Sequence, residues 1–167
     1  MTVSQYELRS AAARNISLRY QRTRVHGQKT GFLCHSHKDR DMALGLQQWL
    51  KEQGMELYID WQDPCMPDTP DGTTANRIRT MIDKADVFLF LATNDSMTSR
   101  WCPWELGLAD GVKRNEQIAL IATRDASGNY YGNEYLQLYR RIDQASAGNT
   151  LYWYAKGSQS PQYLASF

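Results

Sequence analysis

Two stretches of the chain are apolar at nearly every position, DVFLFLAT at 86–93 and QIALIAT at 117–123. A strand without polar alternation is buried on both faces, as in a parallel sheet covered by helices. GFLCHS at 31–36 and MELYID at 55–60 read as two further strands. Between the runs the period lengthens. Met42, Leu46, Trp49 and Leu50 recur at helical spacing, with Asp39 placed to cap the start and Gly54 to end it at C′. Ile78, Met81, Ile82 and Ala85 form a second stripe, with Thr73 or Thr74 as the expected cap. Upstream, residues 5–22 read as a helix in which Tyr6, Ala13, Ile16 and Tyr20 share a face.

The order strand, helix, strand, helix, strand, helix, strand predicts an α/β domain. Its central parallel sheet has about five strands, with helices on both faces and an additional N-terminal helix. Ligands in such sheets bind outside the carboxyl ends of the strands. Here those ends fall at Cys34 to His37, Asp60 to Asp63 and Thr93 to Ser96, and Glu105 follows the third. The segment 61–72, WQDPCMPDTPDG, is the longest loop of the first half, and long loops in compact domains are often functional. Beyond 124 the pattern weakens. RDASGNYYGNE reads as a polar loop, YLQLYRRI (135–142) as a helix, TLYWYA (150–155) as a last strand and KGSQSPQYLASF as a loosely held tail. The expected division is an extension at 1–28, one domain at 29–157 and a tail at 158–167. Tyrosines 130, 131, 135, 139, 152 and 154, with Trp153, are better explained by packing and strand propensity than by an aromatic surface.

Composition narrows the function classes. The 167 residues suit one domain with a real core. A net charge of +1 gives no case for nucleic acid or an anionic membrane, and the basic cluster Arg19, Arg22 and Arg24 reads as a solvated helix face. No apolar run is long enough to span a bilayer and no signal peptide is visible, so a cytoplasmic protein is expected. Three widely spaced cysteines, Cys34, Cys65 and Cys102, suit a reducing compartment, the last two reading as incidental. There is no G-x-G-x-x-G after a strand, no Walker loop and no G-x-S-x-G elbow, which disfavours hydride transfer and serine hydrolysis.

Glu105 lies in SRWCPWELGLADG at the opening of a helix, where Pro103 fits the first turn. With Cys102 as N-cap it stands at N3, and a plain capping role beside the helix dipole is one reading. In the other reading, Trp101 shares its face and can cover a flat ring or a ribose, and desolvation beside the aromatic wall poises the carboxylate for catalysis. His35 and His37 alternate along a strand and face one way, but two histidines without a third ligand are thin support for a metal.

FLCHSHKD at 32–39, LYIDWQD with its Pro- and Gly-bearing loop, and ADVFLFLATNDSMTSRWCPWELGLA resemble, in order and spacing, three boxes of Toll/interleukin-1 receptor (TIR) domains. The likeness runs over roughly residues 29–123. It departs from the family pattern at Cys34, where Ser is frequent, at His35, where Tyr is frequent, at Trp104, and in the length and proline content of the 61–72 loop.

The resemblance implies a flavodoxin-like TIR fold with Glu105 as the catalytic acid and Trp101 as its aromatic neighbour. Cys34, His35, Ser36 and Lys38 would lie beside the substrate, and Asp60 and Trp61 would begin the loop that covers it. The implied activity is cleavage of NAD+ at the nicotinamide–ribose bond, giving ADP-ribose or a cyclic isomer, with NAD+ as substrate and no separate cofactor or metal. Loss of a neutral pyridine needs no general acid, so one carboxylate suffices, unlike the paired carboxylates of O-glycosidases. The family analogy further implies self-association through TIR–TIR contacts, and a bacterial anti-phage signal read by a separate effector, as in Thoeris-type systems. Two alternatives stand beside it, a non-catalytic TIR adaptor module and a deoxyribosyltransferase-like nucleoside enzyme.

Overall fold

The computed structural model describes residues 2–14, 28–67, 69, 71–132, 135, 138–146 and 148–167. Most of the helix expected over 5–22, together with Arg19, Arg22 and Arg24, lies outside the described residues. The described part of that segment begins with a short strand β1 (Val3–Ser4) and helix α1 (Gln5–Ala12). Then follow β2 (Lys29–Cys34), α2 (Arg40–Glu52), β3 (Met55–Tyr58), α3 (Gly72–Lys84), β4 (Val87–Ala92), the single turn α4 (Asn94–Met97) and α5 (Cys102–Val112). The last part comprises β5 (Ile118–Arg124), β6 (Tyr130–Tyr131), β7 (Arg140–Gln144), β8 (Leu151–Tyr154) and β9 (Gln162–Tyr163).

The central order is β3-β2-β4-β5-β7, with every neighbouring pair parallel, which is the expected five-stranded sheet. The central strands β4 and β5 are apolar almost throughout because both faces are covered. Leu33, Leu57, Leu89, Leu91 and Ile121 pack in one core with Leu46 and Trp49 of α2 and Leu8 of α1. Phe32, Phe88, Phe90 and Leu120 fill the other with Ile78 and Ile82 of α3 and Leu106 of α5. The period of two therefore sends Cys34 to the α5 face.

Three expectations are corrected. Tyr6 and Ala13 are exposed, and α1 instead buries Leu8 and Ala11 against α2, where Gly45 admits the Leu8 backbone. The segment YLQLYRRI does not form the expected helix. Arg140 to Ile142 belong to β7 and pair with β5, and Tyr139 and Ile142, three apart, only mimic a helical stripe. The tail is held: β9 pairs with β8, and Leu164 and Phe167 are buried, the latter edge-on to Trp153. Apolar residues at the chain end override the turn-rich stretch before them.

At the helix ends, Gly54 takes φ +84° after α2, as expected. Asp39 occupies the N-cap of α2 without a capping bond, and α3 is capped by Asp71, not by Thr73 or Thr74, in a capping box with Thr74. No helix among the described residues is long and apolar enough to cross a membrane.

Candidate active site

The carboxyl ends of β2 and β3 meet the start of α5 at one rim of the sheet. Cys102, Pro103 and Trp104 form the first turn of α5, and Trp101, not Cys102, is the N-cap. Glu105 thus stands one place deeper than expected. Its N–H already bonds the Trp101 carbonyl at 2.9 Å, and the terminus is capped by Ser99, whose Oγ accepts the Trp101 and Cys102 N–H groups at 3.2 and 3.3 Å. The capping role is removed by that shift: the carboxylate points inward and is 6% exposed.

Among the described residues no cation pairs with Glu105. Burial, then the Cys102 sulfur, push its pKa well above the ordinary carboxylate range; the nearby Cys34 thiol partly opposes the rise, and Asp60 adds to it. Cys34 is itself fully buried, with Sγ 3.6 Å from the Cys102 carbonyl, and burial raises its thiol well above its usual value. Cys102, which the sequence marks as incidental, is part of this cluster.

His35 is buried beside it. Its Nδ1 faces the Leu33 carbonyl at 3.2 Å and its Nε2 accepts the indole N–H of Trp61 at 3.0 Å. Burial lowers its pKa. The Trp61 ring carries the Arg40 guanidinium 4.3 Å above it, a contact that sequence reading does not reveal. Asp60 accepts from the Trp61 backbone N–H at 2.8 Å and from His37 Nε2 at 3.2 Å. Burial would raise the Asp60 pKa, but the bond from His37, the imidazoles beside it and the Trp61 N–H hold it below its usual value. The Asp60 bond in turn raises His37. With these partners the two imidazoles stack 6.3 Å apart, their Nε2 atoms serving different groups.

The loop beyond is tied down by Asp63. It accepts from Tyr58 Oη at 2.7 Å, from Arg77 at 2.7 and 2.8 Å and from the Cys65 N–H at 2.9 Å. Across the rim, Asp39 accepts from Thr93 Oγ1 at 2.5 Å, joining the turn after β2 to the turn after β4. An acid read as a helix cap thus proves to be a cross-rim tie.

The rim therefore gathers Cys34, His35, Asp60, Trp61 and Glu105. Ser36 faces its own turn, its Oγ accepting the Lys38 N–H at 3.4 Å, and the Lys38 ammonium turns to Asp95 at 3.4 Å on the surface. Trp101 is 37% exposed and meets Trp104 edge-on at 5.5 Å, with the Arg79 guanidinium over Trp104.

The sequence profile of the TIR domain matches residues 32–150, from within β2 to beyond β7. The chain belongs to the TIR domain family. This TIR protein is 31% identical over 121 residues to the probable 3′ cyclic ADP-D-ribose synthase ThsB′ of Bacillus cereus (strain MSX-D12). That alignment takes in 71% of this chain and 63% of the relative, so the TIR protein spans less than two thirds of the relative's length.

Proposed function

We propose that this TIR protein cleaves NAD+ at the nicotinamide–ribose bond, releasing nicotinamide and forming ADP-ribose or a cyclic ADP-ribose isomer. One observation carries the reading: Glu105 is a desolvated carboxylate with no counter-cation among the described residues. Such a group is costly in the free protein and is relieved by a cation. The substrate brings one, first on the pyridinium and then on the ribosyl carbon as the C–N bond breaks. The bond's electron pair leaves on the nicotinamide nitrogen, which becomes neutral, and the cationic ribose is held by the carboxylate until an oxygen or ring nitrogen attacks. Water as the nucleophile gives ADP-ribose; a hydroxyl or ring nitrogen of the same molecule gives a cycle.

In this reading Trp101 walls the mouth and Trp61 begins the covering loop, with His35 and Asp60 holding that loop in place. Cys34 sits beneath Glu105 and orients it. The relative's name supports a cyclic product. Self-association through TIR–TIR contacts, a cytoplasmic site of action and a separate effector that reads the product in anti-phage defence belong to the same proposal.

The test is incubation of NAD+ with the wild-type chain and with Glu105→Gln, followed by chromatography and fragmentation of the product. Nicotinamide release that falls about 100-fold or more in the variant is expected for loss of a transition-state electrostatic partner. Equal turnover in both proteins, or none in wild type at high protein concentration, would remove the proposal and leave the adaptor role.

A further inference from the structure

A cavity of about 470 Å³ opens over the other wing of the sheet. It lies at the carboxyl ends of β5, β7 and the parallel β1, walled by the N-terminal segment, by Arg124 and Tyr130, and by the turn after β7. β4 stands between β2 and β5, so two strand spacings, about 10 Å, separate it from the strand bearing Cys34. Its volume is that of a small-ligand site, and its place obeys the same rule that locates Glu105.

The floor is preformed. Gln144 is buried, its Oε1 accepting the Ser4 N–H at 3.3 Å and its Nε2 donating to Glu7 Oε2 at 2.6 Å and to the Gly148 carbonyl at 3.0 Å. The mouth is unusual. Tyr6 and Tyr130, two of the few large side chains left exposed, flank it at 73% and 55% exposure. Arg124 is exposed, and its guanidinium has no hydrogen bond, ion pair or ring contact among the described residues, in contrast to Arg40, Arg77 and Arg141. Aromatic faces stack on a planar ring, a free guanidinium takes a phosphate bidentately, and a carboxylate already held at one oxygen accepts a hydroxyl at the other.

We infer that this cavity is a second nucleotide site, taking a nucleoside phosphate with its base between Tyr6 and Tyr130, its phosphate on Arg124 and a ribose hydroxyl on Glu7. The site does not depend on turnover at Glu105. The shared ligand chemistry is the nucleoside monophosphate group, whether carried by a free nucleotide, by ADP-ribose or by NAD+.

The experiment titrates AMP, ADP-ribose and NAD+ into the full chain bearing Glu105→Gln, which blocks consumption of NAD+, and follows backbone amides by NMR and affinity by calorimetry. AMP is expected to shift the amides of Ser4, Glu7, Tyr130 and Gln144. Arg124→Ala and Tyr130→Ala should each weaken AMP about tenfold or more, while Tyr130→Phe and Trp101→Ala leave it within about twofold. Arg124 and Tyr130 are exposed, so unchanged thermal midpoints check that the variants fold. The order of AMP, ADP-ribose and NAD+ affinities identifies the source. No AMP binding at millimolar concentration, shifts confined to the Glu105 rim, or an affinity indifferent to Arg124→Ala would overturn the inference.

Discussion

The indole N–H of Trp61 donates to Nε2 of His35 at 3.0 Å, and this bond decides the state of the imidazole. An acceptor at Nε2 leaves the proton on Nδ1, where the Leu33 carbonyl takes it at 3.2 Å. A second proton would face the indole N–H, so buried His35 is a neutral ring that anchors the first residue of the covering loop.

The two histidines of this rim therefore titrate on opposite sides of the ordinary imidazole value. His35 is lowered by burial and His37 is raised by its bond to Asp60. For His35 the folded state favours the neutral form, so stability from this group is lost as pH falls below the unfolded value. For His37 the contribution is present at low pH and lost as pH rises through its elevated pKa; exposure keeps it small. NMR titration should resolve both, and a common midpoint would contradict the geometry.

Trp61→Phe keeps the ring under Arg40 and deletes the N–H. The loss should be about 0.5–1.5 kcal/mol, read chiefly as a higher KM for NAD+ with kcat nearly unchanged, because only the covering loop is loosened. Acid pH should raise KM in wild type for the same reason and leave the variant less sensitive.

Cys34→Ala removes the thiol that lies near Glu105 and favours its anion, and Cys34→Ser restores a donor. The alanine variant should lose turnover about tenfold, with its acid limb moved to higher pH, since the carboxylate loses the group that favours its anion. The serine variant should recover most of both. A purely structural role would lower the thermal midpoint without moving the pH limb.

Glu105→Gln should be more stable than wild type as well as inactive. A carboxyl whose folded pKa is raised binds its proton more tightly folded than unfolded, so wild type loses stability as pH rises through that window. The amide has no charge to bury. A gain of about 0.5–2 kcal/mol at neutral pH, vanishing in acid, should appear in urea melts.

Gly45→Ala and Gly107→Ala should act in opposite directions although both glycines are helical. A Cβ at Gly45 would lie 1.8 Å from the Leu8 carbonyl oxygen, so α1 must shift, at about 1–3 kcal/mol or more. Nothing lies within 4 Å of a Cβ at Gly107, where alanine should gain about 0.5–1 kcal/mol.

The sheet was legible because DVFLFLAT and QIALIAT carry their burial in composition, and the rim followed from the rule about strand ends. Cys34 with Glu105, and Asp60 with Trp61, could be placed together on those grounds. The direction of Glu105 could not. It depends on how α5 packs against β2 and on a helix start fixed by local bonds that periodicity does not report, here Ser99 Oγ accepting the Trp101 and Cys102 N–H groups. β7 escaped because Tyr139 and Ile142 share a spacing with helices. The cavity beside β5 escaped altogether: β1 has two residues, too few to show any period, and the cavity walls come from segments more than a hundred residues apart.

β1 also has a bearing on biosynthesis. Val3 aligns with Thr123, about 120 residues downstream, in a parallel pairing that no hairpin can close. While the ribosome is still adding the helices between β1 and β5, β1 has no partner to dock on. The seat of β1 beside β5, and the wall it lends to the cavity, form only after β5 has emerged, so on a nascent chain β1 should resist protease later than the strands between them.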